Sequence, residues 1–115
     1  MLNLVLGLNR AVLAEGISFA KSSGIDAALA LEILKAGPAY SKAMDVKGKK
    51  MLSGDFAPEA RLSQHLKDVG LILEQARKQG RSLPLSELHR TLLEKAEAAG
   101  YGAADNSAIL KAWDF

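Results

Sequence analysis

The chain has 115 residues, with 15 Lys and Arg against 13 Asp and Glu for a net charge of +2, and no cysteine. One domain of this length can build a sufficient core, while disulfide frameworks and thiolate metal sites are excluded. Aromatic residues make up 5% of the chain, too few for base stacking, and the small surplus of scattered positive charge does not indicate a nucleic-acid partner.

The first predicted helix runs from about Leu2 to Ser23 and ends before Gly24, because glycine readily adopts the left-handed conformation that follows a helix. Apolar residues surround most of its circumference. Such a helix is either central in the fold or covered by another subunit, so the sequence predicts a homodimer.

This apolar segment is not expected to be a membrane span or a secretory signal. No basic region precedes it, no small-residue cleavage site follows it, and polar residues interrupt it at Asn3, Asn9, Arg10 and Glu15. The absence of cysteine is compatible with a reducing compartment, and we expect a cytoplasmic protein.

Further helices are predicted where apolar residues recur at helical spacing between glycine or proline residues. They run from about Asp26 to Ala36, Tyr40 to Leu52, Pro58 to Gln79 and Leu83 to Ala99, before a short helix opened by Asp105. No stretch alternates as a half-buried strand would. We therefore predict an all-α domain of five to six helices over residues 1–115, built around the long apolar first helix.

Motifs for chemistry are sparse. The Gly100-Tyr101-Gly102 segment follows a helix and is predicted as a helix-ending turn, not a phosphate-binding loop. His65 and His89 lie on different predicted helices without a nucleophile motif, so no catalytic triad is expected. Asp68 is close to His65 on one helix, but two ligands do not make a metal site, and we interpret them as a surface or interfacial pair.

Two groups of lysines have alternative interpretations. Lys47, Lys49 and Lys50 could attract a phosphate-bearing partner, but such a run is more often solvated. The Lys67-Asp68 pair borders the apolar stripe of the most amphipathic helix. A lysine there could extend its charged end into solvent, and the residues alone favour that interpretation over a binding role.

The order of several segments carries a resemblance to a known family. They are Asn3-Leu4-Val5-Leu6-Gly7, Leu13-Ala14-Glu15-Gly16, Gly24-Ile25-Asp26, His65-Leu66-Lys67-Asp68-Val69, Leu83-Pro84-Leu85 and Gly100-Tyr101-Gly102-Ala103-Ala104-Asp105-Asn106-Ser107-Ala108-Ile109. Together they resemble the C-terminal helical domain of the β-hydroxyacid dehydrogenases, which include 3-hydroxyisobutyrate dehydrogenase and tartronate semialdehyde reductase. The implied fold is like the C-terminal domain of 6-phosphogluconate dehydrogenase. Each segment is weak alone, but the ordered set is fairly specific.

The resemblance implies roles for two residues. Family members have an N-terminal Rossmann domain that holds NAD or NADP, then a long helix with a catalytic lysine and an asparagine four positions later. Asn3 matches that asparagine and is expected to bind substrate, while the lysine would precede Met1, so no catalytic residue is assigned. Lys67 matches the lysine that reaches the nicotinamide end of the cofactor.

Two functions are compatible with these observations. The first is the C-terminal domain of an NAD(P)-dependent 3-hydroxyacid dehydrogenase, which completes the interdomain cleft for a small 3-hydroxyacid and forms the dimer interface. Without a Rossmann domain, such a chain is expected to be inactive and to bind no cofactor tightly. The alternative is a non-catalytic dimerisation or scaffold module, descended or engineered from that family.

Overall fold

The computed structural model describes residues 1–113, so Asp114 and Phe115 of the predicted domain lie outside the described residues. The helices are α1 (Leu2–Ser22), α2 (Ala27–Ala36), α3 (Lys42–Ser53), α4 (Leu62–Lys78) and α5 (Pro84–Ala96), followed by a π turn (Glu97–Tyr101) and a C-terminal 3₁₀ helix (Asn106–Trp113). Within the described part, strand-like pairing is confined to one bridge between Arg61 and Asp105. The all-α prediction is confirmed.

The ends of the first two helices follow local sequence signals. Gly24, two residues after the end of α1, has a φ of +78°. Asp26 caps α2, because its carboxylate accepts a hydrogen bond from the backbone N–H of Leu29 at 3.0 Å. The α-helical part of α5 ends at Ala96, earlier than predicted, where the backbone widens into the π turn.

The start of α4 differs from the prediction. The helix begins at Leu62 and not near Pro58, because the preceding segment pairs with the chain that leads into the 3₁₀ helix. The N–H of Asp105 donates to the carbonyl of Phe56 at 2.9 Å, and the N–H of Asn106 donates to that of Ala60 at 2.8 Å. These distant partners hold the segment outside a helix.

Helix α1 and the 3₁₀ helix lie at the centre of the core. α1 contacts the other four α-helices and the 3₁₀ helix. Ala14 and Ile17 of α1 and Ile109 of the 3₁₀ helix are fully buried. The predicted central position of α1 is therefore correct, although one of its faces, with Val12 and Phe19, remains exposed.

Within residues 1–113, α1 is also the one helix that is long and apolar enough to cross a membrane, with a mean hydropathy of 1.2. Core helices of globular proteins pass the same test. In this fold the apolar composition of α1 accounts for its packing against five neighbouring elements.

Candidate functional site

A polar pocket of about 250 Å³ lies where the first turns of α1 approach α4 and the start of the 3₁₀ helix. Polar side chains from all three elements line it, so its composition differs from that of the surrounding apolar core. The lining residues are Asn3, Leu6, Arg10, Ala60, Arg61, Gln64, His65, Asp68 and Asn106.

Arg10 is the central charge of this pocket. Its Nε and Nη1 atoms are buried and make no hydrogen bond. No carboxylate of residues 1–113 forms an ion pair with it. Burial lowers the pKa of Arg10, and attraction to Asp105 partly opposes that shift. Because a guanidinium keeps its proton in proteins, the pocket contains a positive charge without an ion-pair partner among the described residues.

His65 and His89 pack together behind Arg10. Their ring centroids are 5.3 Å apart, and the residues are only 7% and 2% exposed. Burial lowers the pKa of each histidine to about 4; the Arg10 charge adds to the shift of both, and His65 adds to that of His89. Both rings are therefore neutral at pH 7, and the Nε2 atom of each is buried without a hydrogen-bond partner.

The predicted surface pair of His65 and Asp68 is wrong, because His65 turns into the interior. Asp68 instead accepts a hydrogen bond from Gln64 Nε2 at 3.3 Å. The close approach of His65 to α1 requires glycine at position 7. A Cβ there would lie 2.4 Å from His65 Nε2. The two histidines lie on different helices and 24 positions apart in the sequence, whereas in the fold both pack against Gly7.

Of the two residues assigned by the resemblance, one lies in the pocket and one beside it. Asn3, in the first turn of α1, lines the pocket together with Asp68 of α4. Lys67 is on the exposed side of α4, next to Asp68 but outside the pocket lining. Within residues 1–113, Lys67 makes no hydrogen bond or ion pair, so its ammonium group can contact a ligand.

The dinucleotide that the resemblance implies needs more than this chain offers alone. Residues 1–113 contain no strand followed by a glycine-rich turn, the arrangement that holds a pyrophosphate. They do offer Lys67, an unpaired cation with three donors, near the pocket.

Lys47 does not belong to a solvated cluster, and that prediction is wrong for this residue. Lys47 is 5% exposed, and its Nζ donates to both carboxylate oxygens of Asp105, at 2.9 and 3.0 Å. Burial raises the pKa of Asp105, but hydrogen bonds from Ser107, Lys47 and the Glu59 N–H outweigh it and hold the pKa well below its usual range. The pair joins α3 to the 3₁₀ helix.

Sequence reasoning missed several polar pocket residues: Arg10, Arg61, Gln64 and Asn106. Arg10 follows Asn3 by about two helical turns, which places both on one face of α1 and was a usable signal. Asn106 is 5% exposed, and its Oδ1 has no hydrogen-bond partner. Nothing local in the sequence marks that side chain as a pocket residue.

Comparison with known proteins agrees with this fold and with the resemblance. A family model described as NAD-binding of NADP-dependent 3-hydroxyisobutyrate dehydrogenase matches residues 1–113. The 2-(hydroxymethyl)glutarate dehydrogenase of Eubacterium barkeri is 34% identical over 113 residues, 97% of this chain and 38% of that protein. The cytokine-like nuclear factor N-PAC of Aedes aegypti is 29% identical over 109 residues, 95% of this chain and 20% of that protein.

The crystal structure of 3-hydroxyisobutyrate dehydrogenase from Salmonella typhimurium has a TM-score of 0.91 and 27% sequence identity. The match covers 95% of this chain and 38% of that one, so the chain spans little more than a third of the dehydrogenases it matches. The chain belongs to the 3-hydroxyisobutyrate dehydrogenase family and corresponds to its C-terminal helical domain.

Proposed function

We propose that this chain supplies the helical side of the active-site cleft in an NAD(P)-dependent 3-hydroxyacid dehydrogenase. The observation that carries the proposal is the pocket between α1 and α4, which Asn3 and Asp68 line together with Arg10, an arginine whose Nε and Nη1 atoms are buried without a hydrogen bond. Unpartnered polar groups in a concave site are typical of a surface that awaits a ligand. The remaining length of the matched dehydrogenases leaves room for a dinucleotide-binding domain.

Two residues have roles in this proposal. Asn3 binds the substrate through its side-chain amide, which offers both donors and an acceptor. Lys67 directs its ammonium group to the dinucleotide, whose nicotinamide ring, when bound, supplies the hydride chemistry. Among residues 1–113 we assign no group to the proton transfer, which the resemblance gives to a lysine four positions before Asn3.

The role of Lys67 can be tested by joining this chain to the dinucleotide-binding half of the Salmonella typhimurium relative. Lys67→Ala is expected to raise the KM for the dinucleotide about tenfold with a smaller effect on kcat, because a charge-assisted contact to the cofactor is lost. Lys78→Ala, an exposed lysine at the end of the same helix, is the matched control. Equal KM values in the two variants would contradict the assignment, and a folded but inactive chimaera would contradict the cleft.

We further propose that the chain forms a homodimer through the exposed face of α1. Val12 of α1 lines an apolar groove together with Leu85 and Leu88 of α5 and Trp113. Val12 and Trp113 also border the adjacent groove that contains Phe19. A continuous apolar surface of this kind favours association with a second copy, because the same face meets itself across a two-fold axis.

Sedimentation equilibrium tests the dimer. At micromolar concentration we expect a mass of twice 12.2 kDa. Phe19→Glu is expected to give monomers, because it places a charge in the proposed interface. Val46→Glu, which changes an exposed apolar residue of α3 outside both grooves, should leave the dimer intact. A single-chain mass for the unmodified protein would refute the interface.

The second candidate function is a non-catalytic dimerisation or scaffold module of the same descent. The similarity to N-PAC favours it, because a protein named as a nuclear factor contains a region that matches 95% of this chain. A stable dimer of this chain together with an inactive, correctly folded chimaera would support the scaffold function over the enzymatic one.

A further inference from the structure

The Arg10 guanidinium lacks a counter-ion. Two of its nitrogen atoms are shielded from solvent and make no hydrogen bond, and no carboxylate of residues 1–113 pairs with it. A buried charge without a partner is unfavourable, because it has lost water without gaining a replacement. A bound anion would supply the missing partner, which makes Arg10 a candidate anion-binding residue.

The nearest carboxylates are already engaged. Asp105 is fully buried and accepts hydrogen bonds from Lys47 and from the backbone N–H groups of Glu59 and Ala60. Asp68 lines the same pocket and accepts a hydrogen bond from Gln64. Neither forms an ion pair with Arg10, whose side chain lines the pocket.

Other groups around the pocket are suited to an anion. Arg61 adds a second positive charge to the lining, which leaves the pocket net positive even with Asp68 present. Asn106 is nine-tenths buried and has an unpartnered side-chain oxygen, and rotation of its amide presents two N–H donors instead. His65, which also lines the pocket, is neutral and can donate through a ring nitrogen. A carboxylate could therefore be bound by several donors at once.

The position of Arg10 relative to Asn3 defines the size of the ligand. The two residues are about two turns apart on one face of α1, roughly 10 Å between their Cα atoms. Side chains on a helix lean toward its N-terminus, so the long Arg10 side chain extends back toward Asn3. A ligand of a few carbon atoms can contact both residues.

We propose that Arg10, with Arg61 and Asn106, forms a subsite for a carboxylate at the far end of the substrate from the reacting hydroxyl. The subsite rests on the proposed function for its substrate chemistry, since it selects 3-hydroxyacids that carry a second carboxylate. The hydroxyl-bearing end lies toward Asn3, and the second carboxylate neutralises the arginine. A substrate without that group leaves the guanidinium uncompensated and binds more weakly.

The 115-residue chain tests the subsite without any cofactor. Titration with glutarate, a short dicarboxylate, is expected to show saturable binding by calorimetry and to raise the melting temperature, while acetate at equal ionic strength has a smaller effect. Arg10→Met should weaken glutarate binding about tenfold or more. Arg10→Lys, which keeps the charge but not the planar group, should weaken it less. Arg81→Met, in the loop between α4 and α5, should change nothing.

The stability of Arg10→Met without ligand gives an independent readout. If the role of Arg10 is to bind a ligand, its replacement by an apolar side chain of similar length raises the melting temperature, because a partly buried charge without an ion-pair partner is removed. If Arg10 instead stabilises the fold, the same variant melts at a lower temperature. Glutarate binding unchanged in Arg10→Met, or a lower melting temperature for that variant, would overturn the subsite.

The chimaera separates this proposal from the proposed function. We expect Arg10→Met to lower kcat/KM at least tenfold for a 3-hydroxyacid with a second carboxylate and to leave a monocarboxylate analogue nearly unchanged. If the chimaera is inactive but its helical part still binds glutarate through Arg10, the dehydrogenase role is refuted and the anion site is supported. An active chimaera with equal losses on both substrates refutes the subsite alone.

Discussion

Replacing Gly7 with alanine is expected to lower the free energy of unfolding by about 1–3 kcal/mol, the usual range for an overpacked core. The added Cβ would lie 2.4 Å from His65 Nε2 and 2.8 Å from His89 Cε1. Both rings are buried and pack against each other, so each limits the movement of the other. The rings or the helices that carry them must shift to accommodate the methyl group.

Gly70, in the interior of α4 and outside the proposed dimer face, is the matched control. An added Cβ there has no neighbour within 4 Å. Gly70→Ala should therefore raise the free energy of unfolding by about 1 kcal/mol, because alanine favours the helix interior over glycine. Urea unfolding followed by circular dichroism measures both. An increase of the same size at both positions would show that the histidines do not pack on Gly7.

Removing the carboxylate of Asp105 is expected to have the largest effect of any single substitution, a loss of about 3–5 kcal/mol. Asp105→Ala leaves the Lys47 ammonium buried and unpaired, and it removes the acceptor for the backbone N–H groups of Glu59, Ala60 and Ser107. Lys47 and the Ser107 N–H are then left without a partner in the interior, and the part-buried N–H groups of Glu59 and Ala60 lose theirs.

Two comparisons make the Asp105 prediction specific. Lys47→Met should also destabilise the protein, but by less than Asp105→Ala, because the carboxylate keeps its hydrogen bonds from the backbone and Ser107. Lys35→Met breaks a partly exposed ion pair with Asp45 and should change the free energy of unfolding by less than about 1 kcal/mol. Chemical denaturation measures the free energy of unfolding of all three variants. Similar decreases for Lys35→Met and Lys47→Met would contradict the stabilising role of the buried Lys47–Asp105 ion pair.

The pH dependence of stability distinguishes Asp105 from the histidines. The pKa of Asp105 is depressed in the fold, so its contribution is fully present above about pH 4, the pKa range of an unfolded aspartate, and is lost as the pH falls further. His65 and His89 have folded pKa values of about 4 against 6.5, so the unfolded chain binds protons that the fold excludes. As the pH is lowered, the free energy of unfolding therefore begins to fall near pH 6.5 through the histidines. The loss due to Asp105 follows only below about pH 4.

Local signals in the sequence were sufficient for the fold class and several boundaries. Gly24 and Asp26 end α1 and cap α2 through contacts with their immediate neighbours, so their roles can be inferred without tertiary structure. The start of α4 and the burial of Lys47 could not be inferred in this way. Both depend on Asp105, which is 58 positions from Lys47, and periodicity contains no information on such a partner.

The candidate site divides in the same way. Asn3 and Lys67 were found because the resemblance to a family assigns them, and spacing alone favoured a solvated lysine. Arg10 was noticed only as an interruption of an apolar segment. Its importance lies in what surrounds it: two neutral histidines, an asparagine and no carboxylate partner within residues 1–113. That environment exists only after three distant segments have packed together.

The central position of the 3₁₀ helix has a consequence for the order in which the protein matures. Ser107, Ala108 and Ile109 are fully buried, and their helix contacts α1, α3, α4 and α5. On the ribosome this segment emerges after all five α-helices. Until then the helices lack the side chains that fill their shared interior, and Lys47 lacks its carboxylate. If translation stalls before Asp105, the nascent chain is therefore expected to be aggregation-prone and sensitive to proteases. Folding is completed only after the 3₁₀ helix leaves the exit tunnel.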